Sequence, residues 1–484
     1  MTGQTGPFHE SAAMAGDRDS PAVISDGLPW LTPECSLRWL GPRVVYWPNG
    51  IPQQRRISIV SSRLRERLDL ESWWFDLLRT TALQCDPATE ALCAVSDSTA
   101  FEAAVRASEL FGRPLLRFHV PSTDAVLAET ETDEWLSSVV DRWKADSSRQ
   151  DADHEPHLRS AVVSPELFRP ERIPRDCQWP AIPLADRLLF AAASRLHVLS
   201  CRGGGNMASL LKLHCHDEER KHIPVLIASD EHGRMPETVR DLACGWVPWL
   251  VQPFVPDAKA ANDDSDAVRA AIPEVASTSQ RVVLCPDPNP LSHPSKWLLH
   301  WTRPARGPWP GETRTDFLDS LILGCQSTDR SALATLLRIV AEGVLRGSSE
   351  GIRGGHVVVS FTQVPLREFR ARRVFRKHRR RFDFEPWGLA VRRDVLEPKG
   401  IRPVIYGDDE HWSNLPTEEQ PFFQKATSGG PTDNLGEQEW RIISDLDLRL
   451  LSPESVFVFV DTADAAEVIS RHCVWPIVVV PMGE

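Results

Sequence analysis

From Ile57 onward, short apolar runs alternate with stretches whose apolar residues recur at helical spacing. Ile57-Ser58-Ile59-Val60 reads as a strand, and the stretch after it gathers Leu64, Leu68, Trp73, Trp74, Leu77 and Leu78 on one apolar face. Leu92 to Val95 predicts a second strand. Thr99 to Phe111 predicts a helix broken by Gly112-Arg113-Pro114, and Leu115 to Val120 a third strand. After a polar, acidic insertion near residues 128–158 the alternation resumes. A helix over Ala185 to Arg195 leads to a strand over Leu196 to Leu199, a glycine-rich turn, a short helix and a strand over Val225 to Ala228. Parallel strands need crossovers and helices supply them, so the pattern predicts a doubly wound, Rossmann-like α/β domain.

Beyond a polar linker the texture changes. Leu298-Leu299-His300-Trp301-Thr302-Arg303 is a short strand. A helix runs from about Ser331 to Glu342, where Leu333, Leu336, Leu337 and Val340 share a face and Gly343 offers a stop. Further strands are expected over Val357 to Phe361, Gly388 to Val391, Pro403 to Tyr406, Glu439 to Ile443, Val456 to Val460 and Ile477 to Val480. One strong helix followed by strands of this kind predicts an α+β domain with antiparallel or mixed pairing. The expected divisions are a disordered leader over 1–28, the first domain over 29–256, a linker over 257–278 and the second domain over 279–484. No internal repeat is visible.

A chain of 484 residues exceeds one ordinary core, in keeping with two domains. No apolar run reaches the roughly 20 residues a membrane span needs, and the first 28 residues lack the basic and apolar blocks of a signal peptide. Ten cysteines without a Cys-x-x-Cys pair suit reduced thiols and a cytoplasmic location. His214-Cys215-His216 places three ligand types consecutively, which a helix cannot aim at one ion, so no metal is expected. The net charge of −12 argues against non-specific binding of the whole molecule to nucleic acid. Locally the balance reverses: residues 367–393 hold eleven Lys or Arg against three acids.

Gly203-Gly204-Gly205-Asn206 follows one strand and precedes a helix. Such a turn lets backbone approach a phosphate, with the helix N terminus favouring an anion and with Ser200 and Asn206 able to add hydrogen bonds; it serves equally as a tight turn. Together with Ser61-Ser62-Arg63 after the first strand, it resembles the phosphate loops of the SLOG and lysine-decarboxylase-like Rossmann families over residues 50–250. The first loop lacks the glycine of those families, and their Pro-Gly-Gly with downstream Thr and Glu is absent. The resemblance implies nucleotide binding through Ser61, Gly203, Gly204, Gly205 and Asn206.

His300 and Thr302, two apart on a strand, would share a face and could hold a nicotinamide nucleotide, or simply sit half-buried. The strand with His300 and Thr302, the helix ending Ile339 to Leu345, the strand with Ser360-Phe361-Thr362 and the late Glu439-Trp440-Arg441 resemble the ADP-ribosyltransferase-like fold of DarT-type proteins. With Gly388 to Val391 and Pro403 to Tyr406 they resemble the AbiGi-related abortive-infection proteins as well, over about residues 290–482. The resemblance implies NAD as substrate, held by His300, Thr302, Phe361 and Thr362, with Glu439 stabilising an oxocarbenium-like centre. Gln363 and Val364 stand where that family has an arginine, so Arg367 or Arg370 would take its part, and Glu437 is a spare acid. Glu439 reads equally as half of an ion pair.

The stretch containing Arg370, Arg372, Arg373, Arg376, Lys377, Arg379, Arg380 and Arg381, interleaved with Phe369, Phe375, Phe382 and Phe384, suits nucleic acid, a pyrophosphate or a solvated face. The leading expectation is therefore a defence or toxin-like protein that senses a nucleotide and transfers ADP-ribose from NAD to nucleic acid or protein. The alternatives are a non-catalytic regulatory or antitoxin-like binding protein and an NAD glycohydrolase.

Overall fold

The computed structural model describes residues 22–121, 126–128, 131–147, 158–167, 182–228, 247–249, 282–283, 296–325, 328–368, 375–376, 381–382, 384–426 and 438–480. The chain divides into two compact units. Residues up to Phe254 together with Pro310–Thr328 form one, and Val255–Trp309 with Asp329–Glu484 form the other. The first boundary falls beside the expected one, while the return of Pro310–Thr328 to the first unit corrects the expectation that everything after 279 belongs to the second.

In the first unit the elements run β1 (Val23–Asp26), α1 (Pro33–Leu40), β2 (Val44–Trp47), β3 (Arg55–Ser61), α2 (Ser72–Gln84), β4 (Glu90–Val95), α3 (Phe101–Leu110) and β5 (Leu115–His119). They continue with β6 (Val126–Leu127), α4 (Thr132–Ser147), β7 (Leu158–Val163), β8 (Glu166–Leu167), α5 (Leu184–Ala192), β9 (Arg195–Ser200), α6 (Asn206–His216), β10 (Val225–Ala228) and β11 (Val247–Trp249). The main sheet has the order β1-β2-β7-β5-β4-β3-β9-β10-β11. From β7 to β11 every neighbouring pair is parallel, and β2 and β1 add an antiparallel edge. All six residues of β4 are buried, as a strand covered on both faces requires.

Two cores flank this sheet. Trp39 and Leu40 of α1, Leu188 and Phe190 of α5 and Leu210 and Leu211 of α6 pack on one face. Trp74, Phe75 and Leu78 of α2 and Ala103 and Ala107 of α3 pack on the other. Crossovers after β3 and β4 thus use one face, and those before and after β9 use the opposite face. That is how right-handed connections wind outward in both directions from a central strand.

The last element of this unit, α7 (Arg314–Leu323), buries Phe317, Leu318, Leu321 and Ile322 in the α2–α3 core. Thr313 and Asp316 form a capping box at its start, and Gly324 ends it at φ +73°. Two further expectations are corrected here. The sequence predicts a leader over 1–28, yet Val23–Asp26 pairs with β2 and Ser25 Oγ accepts from Trp47 Nε1 at 2.8 Å. Residues 1–21 lie outside the described residues, as does the expected linker 257–278. The polar insertion contains α4, within the crossover that the parallel β5–β7 pair demands.

The second unit contains β12 (Val282–Val283), β13 (Trp297–Trp301), α8 (Ala332–Glu342), β14 (Val344–Leu345), β15 (Val358–Thr362), β16 (Phe375–Arg376), β17 (Arg381–Phe382) and β18 (Gly388–Arg392). Then come β19 (Arg402–Pro403), β20 (Ile405–Gly407), β21 (Phe423–Lys425), β22 (Glu439–Ile443), β23 (Leu446–Asp447), β24 (Val456–Val460), α9 (Ala463–Ser470) and β25 (Ile477–Val479). The sheet order is β12-β25-β24-β18-β13-β15-β22-β19, parallel among the first three strands and antiparallel beyond. The expected mixed pairing is therefore present. Leu336 and Val340 of α8 and Ala466 and Ile469 of α9 cover one sheet face, against Leu298, Phe361, Leu389 and Val458. The other face carries Trp297, Leu299, Trp301, Ala390 and Phe459, with Trp301 and Phe459 in an edge-on contact at 4.8 Å. Gly388 permits this packing, because a Cβ there would lie 2.2 Å from the His300 carbonyl oxygen.

Candidate functional site

In the first unit, strand order reverses between β3 and β9. Chain connections leave in opposite directions there, and in open α/β sheets such a switch point is where ligands are bound beyond the carboxyl ends of the strands. Two sequence-predicted segments meet at that point. β3 ends at Ser61, which registers with Ser200 at the end of β9, and the Ser62 N–H donates to the Ser200 carbonyl at 2.8 Å. The Arg202 N–H then donates to Ser62 Oγ at 2.9 Å, tying the serine turn to the glycine turn.

Ser61 Oγ accepts from Trp74 Nε1 at 2.9 Å and donates to the Ser62 carbonyl at 2.8 Å, so this hydroxyl holds the turn rather than reaching outward. Its expected role in binding becomes a positioning one. Trp74, fully buried on α2, is a partner that linear reading takes only as a core residue.

Gly205 is the N-cap of α6 and no side chain caps this end, as at α2, α3 and α5 and unlike α1, α7 and α8, where the Thr32, Thr313 and Ser331 hydroxyls do. Gly204 sits at φ +77° with open space where a side chain would project. The first N–H groups of this eleven-residue helix are left without a side-chain acceptor at the strand-reversal point, and its dipole favours negative charge there. Asn206 opens α6 and its Nδ2 lies 3.4 Å from Asp186 Oδ2. Burial holds the Asp186 carboxyl above the usual carboxylate range. Burial likewise pushes the Cys201 thiol up to about 11, which leaves it protonated and weakly nucleophilic at neutral pH. Neither Ser61 nor Cys201 is an activated nucleophile in this arrangement.

His214, Cys215 and His216 diverge. His214 packs edge-on against Trp39 and Phe190, with burial pushing its pKa down to about 4, whereas His216 is exposed and bonds the Lys212 carbonyl. Among the described residues no group of three or more His, Cys, Asp or Glu side chains gathers to hold a metal. No helix among them is long and apolar enough to cross a membrane.

In the second unit the expected NAD-binding set is not brought together. Leu299 registers with Thr362, and Thr362 with Glu439, so these three lie on the tryptophan-bearing face of the sheet. His300 and Phe361 alternate to the helix-covered face, where their rings meet at 5.7 Å. The His300 Nδ1–H donates to the Ser360 carbonyl at 2.9 Å, and burial pushes its pKa down to about 4. Thr302 lies past the end of β13; its hydroxyl and N–H both donate to the Trp387 carbonyl at 3.0 Å.

Glu439 makes a two-pronged ion pair with Arg441, at 2.9 and 3.1 Å. The Thr362 hydroxyl accepts from the Val364 N–H at 3.1 Å, and Gln363 Oε1 accepts from Trp440 Nε1 at 3.1 Å. Arg367 falls in the helical turn Leu366–Glu368, and Arg370 lies outside the described residues, as does Glu437. The shared pocket expected for His300, Thr302 and Glu439 is contradicted by strand alternation, which sends the imidazole and the carboxylate to opposite faces.

No family model matches this chain, and no curated protein matches it. Among solved structures, DNA processing protein A (DprA) from Streptococcus pneumoniae aligns at 10% identity with a TM-score of 0.24. The alignment covers 42% of this chain and 62% of DprA, so this chain spans less than two thirds of that protein's length.

Proposed function

We propose that the first unit binds a phosphate-bearing nucleotide where β3 and β9 diverge, and that the second unit is a non-catalytic binding or regulatory module. The observation that carries the reading is the uncapped N terminus of α6, presented by a glycine turn at the point of strand reversal. The separation of His300 from Glu439 favours the non-catalytic role for the second unit over transfer of ADP-ribose from NAD.

Titration calorimetry with ADP tests the first part. Gly204→Val forces a β-branched residue into φ +77°, a conformation costing about 1–2 kcal/mol. ADP affinity should fall by about tenfold as the turn rearranges. Unchanged affinity in Gly204→Val, or no ADP binding by the wild type, overturns the site. Incubation with labelled NAD tests the second part: neither wild type nor Glu439→Ala should consume it above a protein-free control, and consumption by the wild type that Glu439→Ala lacks would restore the transferase reading.

A second reading concerns nucleic acid. Residues 370–382 hold eight Lys or Arg and no acid. Within them β16 and β17 form an antiparallel pair that sets Phe375 opposite Phe382 and Arg376 opposite Arg381. A run of Lys and Arg without an acid suits a polyanion. Arg370, Arg372, Arg373, Lys377, Arg379 and Arg380 lie outside the described residues. Binding of a single-stranded oligothymidylate should weaken in the Arg376→Glu, Arg381→Glu double variant, with the salt slope reduced by about 0.7 for each phosphate no longer neutralised. An unaltered slope removes this reading.

A further inference from the structure

In sequence α7 is embedded in the second unit, yet it completes the core of the first. Arg106 of α3 makes a two-pronged ion pair with Asp319 at 2.8 and 2.6 Å, and buried Arg79 of α2 donates to the Ile322 carbonyl at 2.7 Å. The helix is thus bolted to α2 and α3 by polar contacts as well as by its four buried apolar side chains. Both ends of the excursion are held together inside the second unit. Arg330, fully buried, donates to the carbonyls of Gly307 at 3.2 Å and Asp329 at 3.4 Å, and its guanidinium lies 4.6 Å from the centre of the Trp309 ring. The Ala305 N–H donates to the Arg330 carbonyl at 2.9 Å. Residues 305–309 and 329–330, before and after the excursion, therefore form one clamp.

The other end of the chain of contacts reaches the glycine turn. Ser62 accepts from Arg202, the adjacent Ser61 accepts from Trp74, and one further turn of α2 brings Arg79 to the end of α7. Three of these links are direct hydrogen bonds, the others run along the chain itself, and the last step into the second unit is covalent. α2 therefore touches the serine turn at one end and α7 at the other.

We propose that α7 relays occupancy of the nucleotide site to the second unit, making the site a regulatory input. The proposal rests on the nucleotide-site reading above. Hydrogen exchange of the full chain with and without saturating ADP tests it, with ADP binding measured separately by calorimetry on the same preparation. ADP should slow amide exchange at residues 305–309 and 329–340 by about fivefold or more, the lower end of ordinary coupling between sites. Asp319→Ala, which removes a partly exposed ion pair without emptying the core, should abolish that slowing, and Asp319→Glu should keep it. If ADP binds saturably while exchange in the clamp is unchanged, the relay is wrong and the site stands. Slowing that persists in Asp319→Ala also overturns the relay, and failure of ADP to bind overturns site and relay together.

Discussion

Replacing Arg441 with leucine is expected to destabilise the second unit by about 3–5 kcal/mol, the usual consequence of removing one partner from a buried ion pair. The Arg441 side chain is 1% exposed and that of Glu439 15%, so neither is replaced by water at small cost. Its Nη1 donates to the Phe423 carbonyl at 2.7 Å and its Nη2 to Gln424 Oε1 at 2.6 Å, and those acceptors lose their donor together with the Glu439 carboxylate. The urea midpoint of the full chain's second-unit transition measures the loss. A Glu439→Leu, Arg441→Leu double variant should lose less than the Arg441→Leu single, because the stranded carboxylate is gone. A near-neutral Arg441→Leu would show that the pair is a surface contact of little energetic weight. Glu439→Ala strands Arg441 in the same way, so any loss of function in that variant must be read beside its stability.

Phe317→Ala is expected to cost about 3–5 kcal/mol, since the ring is wholly buried and its removal leaves a cavity between α7, α2 and α3. The location of the damage is as informative as its size. Hydrogen exchange should accelerate more in α2 and α3 than in β13 and β15, although Phe317 lies between the latter two in sequence. Acceleration greatest in β13 and β15 would mean that α7 belongs to the second unit after all.

The sequence misplaces residues 310–328 for a physical reason. Phe317, Leu318, Leu321 and Ile322 recur at helical spacing, but the helix as a whole is only weakly amphipathic and periodicity states no more than that a face is buried. Which core receives it depends on a surface assembled from α2 and α3, more than 200 residues earlier. Similar limits apply to β1 and α4. Four residues such as Val23–Asp26 have too little pattern to announce a strand, and their place comes from register with β2. The polar surface of α4 hides a helix that the β5–β7 pairing makes necessary.

The candidate sites divide along the same line. Gly203, Gly204, Gly205 and Asn206 after a buried strand are legible because glycine at a strand–helix junction is a local, steric signal. Their company is not: Trp74 on Ser61, and Asp186 beside Asn206, are contacts between separate elements that carry no spacing signature. His300, Thr302 and Glu439 show the opposite case. Their residue types and order along the chain suggest a shared pocket, and strand parity decides otherwise, because one residue of register moves a side chain to the other face.

Local chemistry by itself determined the strand–helix alternation of the first unit, the capped helix over Ala332–Glu342, the glycine turn and the basic character of residues 370–382, since each depends on neighbours a few positions away. Only the tertiary structure decided that the strand order reverses between β3 and β9, that Glu439 belongs to Arg441, and that α7 completes a core from which the chain had already departed. Those facts rest on which distant surfaces pair and which face each pleat presents, and no interval along the chain encodes them.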